Sequence, residues 1–193
     1  DIFCRDLLSY YLSPKGEATG HIFLGPRDTF KSAFSHGVLP VWISLREKHL
    51  NGRDARIALV HHKFTLASQN LSLIRTKALK DEWFREVWGD FAADEDIGTK
   101  EMLVWPCADR NAIKDFSMTV SGLTASLTGG HYDAIIVDDP VTEDHIKSKA
   151  TRDETSLKYS ALLFTLDTLR GKLFHTGTRY HVNDLWARLL KAK

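Results

Sequence analysis

An apolar run at 21–24 gives way to Gly25, Pro26, Arg27, Asp28, Thr29, Phe30, Lys31 and Ser32, and a helix-compatible stretch follows from Ala33. A strand, a tight loop and a Lys-Ser pair opening a helix constrain this chain more than any other feature. In such a junction the loop N–H groups and the positive end of the helix dipole face an anion. Lys31 can reach the terminal phosphates of a nucleotide, and the Ser32 hydroxyl can hold Mg²⁺. The segment departs from G-x-x-x-x-G-K-[ST] at Phe30, where a glycine would let the backbone approach the phosphates closely. An ordinary strand–loop–helix junction has the same outline, so the motif needs support from elsewhere in the chain.

The apolar run 134–137 supplies it, because it ends in Asp138, Asp139 and Pro140. A continuous apolar run bounded by polar residues suits a strand buried on both faces of a parallel sheet. Acids at its C-terminal end stand where open α/β sheets bind ligands. Asp138 can complete a Mg²⁺ shell, and Asp139 can orient and deprotonate an attacking water. Pro140 lacks an N–H and cannot continue a central strand. A solvated strand end with an Asp-Pro turn is the alternative for this motif taken alone.

A third run, 172–176, reads as another buried strand and leads into Gly177, Thr178, Arg179, Tyr180, His181, Asp184 and Leu185. The series of phosphate loop, D-D-P and G-T-R-Y-H-x-x-D-L resembles the ATPase domain of the large terminase subunit, the DNA-packaging motor of tailed bacteriophages. The Gly-containing approach at 126–133 and the segment 83–91 are similar to that family as well. The resemblance runs from about residue 20 to the end of the chain and is specific as a set.

The resemblance implies an α/β three-layer sandwich with a mostly parallel central sheet, a P-loop NTPase of the additional-strand division, with residues 1–193 forming a single ATPase domain. It implies that Mg-ATP is hydrolysed to ADP and phosphate to drive viral double-stranded DNA into a procapsid. Lys31 and Arg27 would then hold phosphates, with Gly25 and the backbone N–H groups of Asp28, Thr29, Phe30 and Lys31 around them. Arg27 would also stabilise charge in the transition state, unless it is a solvated loop charge. Ser32 and Asp138 would hold Mg²⁺, and Asp139 would be the catalytic acid–base. Thr176, Gly177 and Thr178 would form the motif coupling hydrolysis to motion, where a bland reading sees only a strand turn. Implied partners are the DNA, the portal protein, the small terminase subunit and further copies in a pentameric ring, at the procapsid portal in the host cytoplasm. The family's C-terminal nuclease domain is not expected here, since the chain ends soon after the last motif, and its first residue, Asp1, suggests a fragment.

The bulk properties agree with an ordinary globular chain, at 43% hydrophobic and 26% charged over 193 residues. A formal net charge of +1 gives no whole-surface attraction to DNA. Any DNA contact must come from a local patch, for which Lys147, Lys149 and Arg152, or Arg188, Lys191 and Lys193, are candidates beside the plainer reading of solvated helix faces. Cys4 and Cys107 lack metal-ligand spacing and read as unpaired thiols. His61 and His62 read as loop residues without a metal role. No apolar run approaches about twenty residues, so no membrane span is expected, and no signal peptide is visible.

Along the chain, periodicity predicts a helix at 1–12 with Phe3, Leu7, Leu8 and Tyr11 on one face, a helix at 32–48, a strand at 56–60 and helices at 65–79, 80–87 and 152–169. Segments 102–105 and 117–121 are expected to add antiparallel strands. Three rivals remain open, the last a nucleotide or small-molecule kinase, for which no acceptor pocket or Arg-rich lid is evident. A helicase-type translocating ATPase would carry further strand-contacting motifs and a second ATPase-like domain. A non-hydrolysing nucleotide-binding docking domain would have Phe30 as the mark of a degraded loop.

Overall fold

A computed structural model describes residues 2–14, 20–26, 29–109, 116–123, 127 and 130–191. Strands β1 (His21–Leu24), β2 (Ile57–His61), β3 (Met102–Leu103), β4 (Met118–Gly122), β5 (Ala134–Asp138) and β6 (Lys172–Gly177) form one six-stranded sheet in the order β1-β6-β5-β2-β4-β3. Every pairing is parallel except β3 with β4. Segments 102–105 and 117–121 do contribute an antiparallel pair, β3 with β4, but β4 itself joins the sheet parallel to β2.

The sequence alternates its apolar residues to both faces of this sheet, as period-two geometry requires of a strand covered on each side. Ile57 and Leu59 of β2 face one apolar cluster, together with Ile136 of β5 and Phe174 of β6. Ala58, Val60, Ile135, Val137 and Leu173 face the other. The first cluster is closed by α1 (Ile2–Leu12), α2 (Leu39–Asn51) and α3 (Phe64–Lys80), through Leu7, Ile43 and Leu71. The second is closed by α5 (Lys149–Leu163) and α6 (Leu185–Leu189), through Tyr159, Leu162 and Trp186. Helices on both faces of a mostly parallel sheet are compatible with a three-layer α/β sandwich. Between α3 and β3 lies α4 (Glu82–Val87), capped by Asp81, whose carboxylate accepts the Phe84 N–H. Among the described residues no helix is long and apolar enough to cross a membrane.

Several sequence expectations shift. On α1 Leu7 is buried and Tyr11 packs against the same core, as expected, but Tyr10 is buried with them and Leu8 is exposed; the Phe3 side chain lies outside the described residues. The helix after the phosphate loop opens with a π-helical stretch, Ala33–Val38, before it becomes α2. Helix α5 starts earlier and stops earlier than 152–169: Ser148 caps its first turn, and after Leu163 the chain turns so that Leu166 bridges Tyr132. His61 is the last residue of β2, not a loop residue.

Strand β6 carries a buried histidine. His175 Nδ1 lies 3.2 Å from the His21 carbonyl and Nε2 lies 2.6 Å from the Tyr159 hydroxyl. The carbonyl can only accept, so Nδ1 bears the proton and Tyr159 donates to Nε2. Burial pushes the ring from its ordinary 6.5 down to about 4. Since the folded value lies below the unfolded one, the stability from the neutral ring is complete above about pH 6.5 and is lost as pH falls toward about 4. The melting temperature should fall on going from about pH 7 to about pH 5, and His175→Gln should make that fall shallower. Equal slopes in the two proteins would contradict a buried neutral His175.

Candidate functional site

The C-terminal edge of the sheet brings the sequence motifs together. Phe23 pairs with Thr176, Thr176 with Asp138, and Asp138 with His61, so one row crosses four strands at the same height. Above this row opens a cleft of about 980 Å³ whose walls include Thr29, Phe30, Lys31 and Ser32 from the loop after β1 and Asp139 from the D-D-P turn. The same cleft is lined by His61, His62, Asn70, Thr142 and Tyr180.

The described residues of the loop after β1 take definite places. Gly25 prolongs β1, its N–H donating to the Gly177 carbonyl at 3.1 Å. Lys31 is only 7% exposed, and its Nζ donates to the Pro26 carbonyl, which also accepts from Thr29 Oγ1 at 2.9 Å. The ammonium therefore folds back on its own loop while still facing the cleft. Phe30 has φ +56, the left-handed region that glycine adopts without strain, and its side chain is 84% exposed. The backbone at position 30 thus takes a conformation that a glycine of the standard motif would favour, with the ring turned to solvent. Arg27 and Asp28 lie outside the described residues.

Asp138 and Asp139 part company at the strand end. Asp138 is fully buried; its Oδ1 accepts from the Thr176 hydroxyl, which also lies 3.2 Å from Ser35 Oγ. Its Oδ2 has no hydrogen-bond partner among the described residues. A buried carboxylate oxygen in that condition is costly, and a cation or a water is what ordinarily satisfies it. Asp139 leaves the strand with φ +40 and lines the cleft. Its N–H donates to the Thr176 carbonyl at 2.9 Å.

The T-G-T turn reaches both neighbours. Thr176 touches Asp138, and Thr178 Oγ1 donates to the Gly25 carbonyl at 3.1 Å. Gly177 is required for space: a Cβ there would stand 2.4 Å from Trp186 Cζ2. Trp186 in turn donates its indole N–H to the Thr178 carbonyl at 3.1 Å. Asp184, fully buried, explains the D-L that ends the motif. One of its oxygens accepts from Ala187 N to cap α6, and the other accepts from the N–H groups of Tyr180 and His181.

Sequence reasoning missed the histidines. His61 stands beside Asp138 in register, with its ring centroid 4.2 Å from that of His62. Burial first, and then the neighbouring His62, push the His61 ring down to about 4. His62 Nδ1 lies 3.0 Å from the Asp139 carbonyl. The available signal was their place directly after a buried strand, at the edge where parallel sheets carry their sites. No group of His, Cys, Asp and Glu among the described residues has the arrangement of a metal site built from protein alone. Three of the basic candidates are engaged locally: Lys147 pairs with Asp144 at 2.6 Å, Arg152 donates to the Ile146 carbonyl, and Arg188 pairs with Asp153 at 2.5 Å, whereas Lys149 and Lys191 are exposed. Lys193 lies outside the described residues. Cys4 and Cys107 are free thiols.

No family model matches this chain, and no curated protein shows significant sequence similarity to it.

The contact at Gly177 has a measurable cost. Gly177→Ala should destabilise the fold by about 1–3 kcal/mol, as overpacking of a tight site does. Trp186→Phe, which removes the atom in the way, should restore part of that loss in the double variant. Additive losses in chemical denaturation would show that the ring is not what excludes a side chain at position 177.

Proposed function

We propose that this chain is an Mg-dependent ATPase domain of the phosphate-loop, additional-strand type. The observation that carries the reading is the convergence of Lys31, Ser32 and Asp139 on one cleft at the C-terminal edge of a parallel sheet. The strand order supports it, because β6 lies between the phosphate-loop strand β1 and the D-D-P strand β5. Such an interposed strand can touch both phosphate-loop and acid in one residue span, as Thr176 and Thr178 do.

In this mechanism the loop N–H groups and Lys31 bind the β- and γ-phosphates, and the sequence resemblance gives Arg27 the same task. Asp139 orients a water and takes its proton as the water oxygen bonds to the γ-phosphorus and the bridging P–O bond to ADP breaks. Asp138, whose buried Oδ2 has no hydrogen-bond partner among the described residues, and Ser32 would hold a Mg²⁺ ion, which would supply positive charge against the phosphates. Lys31 has only to release the Pro26 carbonyl to reach a phosphate. Thr176 shares its hydroxyl contact between Asp138 and Ser35, so a change at the acid is felt in β6 and, through Thr178, at Gly25.

The motor role rests on the sequence resemblance. On that basis the domain would be the ATPase part of a large terminase subunit, driving viral double-stranded DNA into a procapsid. It would work with the portal protein and the small terminase subunit, as a pentameric ring at the portal in the host cytoplasm. A second reading, a nucleotide-binding docking domain without turnover, is favoured by one observation: the standard glycine is replaced by Phe30, which holds a positive φ.

Asp139→Asn should reduce steady-state phosphate release from Mg-ATP by about a hundredfold or more while ATP affinity stays within about twofold. Turnover by the variant near that of the wild type would remove Asp139 from the chemistry. Binding without release in both proteins would favour the docking reading. For the coupling motif, Thr178→Ala in the full-length protein should depress DNA packaging more than ATP hydrolysis. Equal losses would leave no ground for calling these residues coupling residues.

A further inference from the structure

The backbone of Asp139 is held on both sides. Its N–H is bound by the Thr176 carbonyl of β6, and its carbonyl faces His62 Nδ1 at 3.0 Å. A carbonyl can only accept, so the proton of His62 sits on Nδ1. Burial, the largest influence on this ring, holds it below the ordinary histidine value, which favours the neutral form. His62 is itself gripped. Its ring lies against His61, whose Nδ1 accepts the Lys63 N–H at 3.2 Å, and edge-on to His145 at 6.4 Å. His145 is pinned in turn, since its Nδ1 accepts the Thr142 N–H at 3.1 Å.

This clamp acts on a residue that needs one. Asp139 has φ +40, a strained conformation for a residue with a side chain, and it precedes Pro140, which narrows its choices further. Strained backbone of this kind persists where the surroundings over-determine it. The Thr176 bond fixes the peptide before Asp139, and His62 is the side chain that fixes the peptide after it.

We propose that His62 is a positioning residue for ATP hydrolysis: its Nδ1–H holds the Asp139 carbonyl and so fixes the left-handed backbone that sets Asp139 in the wall of the cleft. This inference rests on the hydrolytic reading of the cleft. It assigns work in the reaction to the strand end after β2, which belongs to neither the phosphate loop nor the D-D-P turn.

The test compares His62→Ala, His62→Asn and His62→Gln with the wild type in Mg-ATP turnover, reading kcat and KM separately. An Asn amide nitrogen can replace Nδ1, whereas the Gln amide reaches toward the place of Nε2. His62→Ala should lower kcat by about tenfold or more with KM within about twofold, because misplacement of a reacting group costs rate rather than binding. His62→Asn should recover most of that loss and His62→Gln should not. Independently of turnover, ¹⁵N-histidine spectra of the wild type should show His62 as the Nδ1–H tautomer. An unchanged kcat in His62→Ala, equal impairment of the Asn and Gln variants, or an Nε2–H tautomer would each overturn the inference while leaving the ATPase reading in place. If His62→Ala does not fold, the Asn–Gln comparison and the tautomer decide. Absence of phosphate release from the wild type would overturn the ATPase reading and this inference with it.

Discussion

Strand β6 is paired on both sides, to β1 from Phe174 to Gly177 and to β5 from Lys172 to Thr176, and the arrangement of the edge depends on that double pairing. Because β6 is registered against both neighbours, Thr176 falls level with Phe23 at the foot of the phosphate loop and with Asp138 at the end of the acid strand. Its hydroxyl reaches Asp138, its carbonyl takes the Asp139 N–H, and the next turn binds Gly25 through Thr178. A strand in any other slot would leave these residues on separate elements. The apolar cost of building the slot is met by Leu173 and Phe174, which face opposite clusters and are almost wholly buried.

That edge is stiff on one side and strained on the other. Gly177 leaves just enough room for Trp186, which ties the turn to α6, and buried Asp184 caps the same helix. Facing it, Phe30 and Asp139 both hold positive φ, and both line the cleft. Non-glycine residues in that region cluster where a structure gives up local comfort for a function. Their appearance on two separate loops across one cleft, and nowhere else among the described residues, is a physical sign of a site that does not depend on motif matching.

Much of this was legible in the sequence. The run 134–137 is short, continuous and apolar, and 21–24 and 172–176 carry apolar cores beside histidines, which is how buried strands read, and they are β5, β1 and β6. The histidines were not legible as site residues, because periodicity gives a strand's existence better than its last residue, and one residue decided whether His61 was strand or loop. The direction of β4 depends on its partner, β2, and nothing in its own residues states it. Nor did periodicity show that the helix after the loop opens with a π-helical stretch that buries Ser35 and His36, or that Lys31 folds back on the Pro26 carbonyl. The strand order, too, is a property of the packed sheet, and no local pattern encodes it.

The central claim is that the cleft between the phosphate loop and the D-D-P turn holds Mg-ATP. A crystal structure with Mg²⁺ and a non-hydrolysable ATP analogue tests it most directly. The account predicts that Lys31 Nζ leaves the Pro26 carbonyl for the γ-phosphate, and that the Asp139 carboxylate lies within reach of a water in line with the terminal phosphorus. An analogue bound elsewhere, with Lys31 still on Pro26, would contradict it.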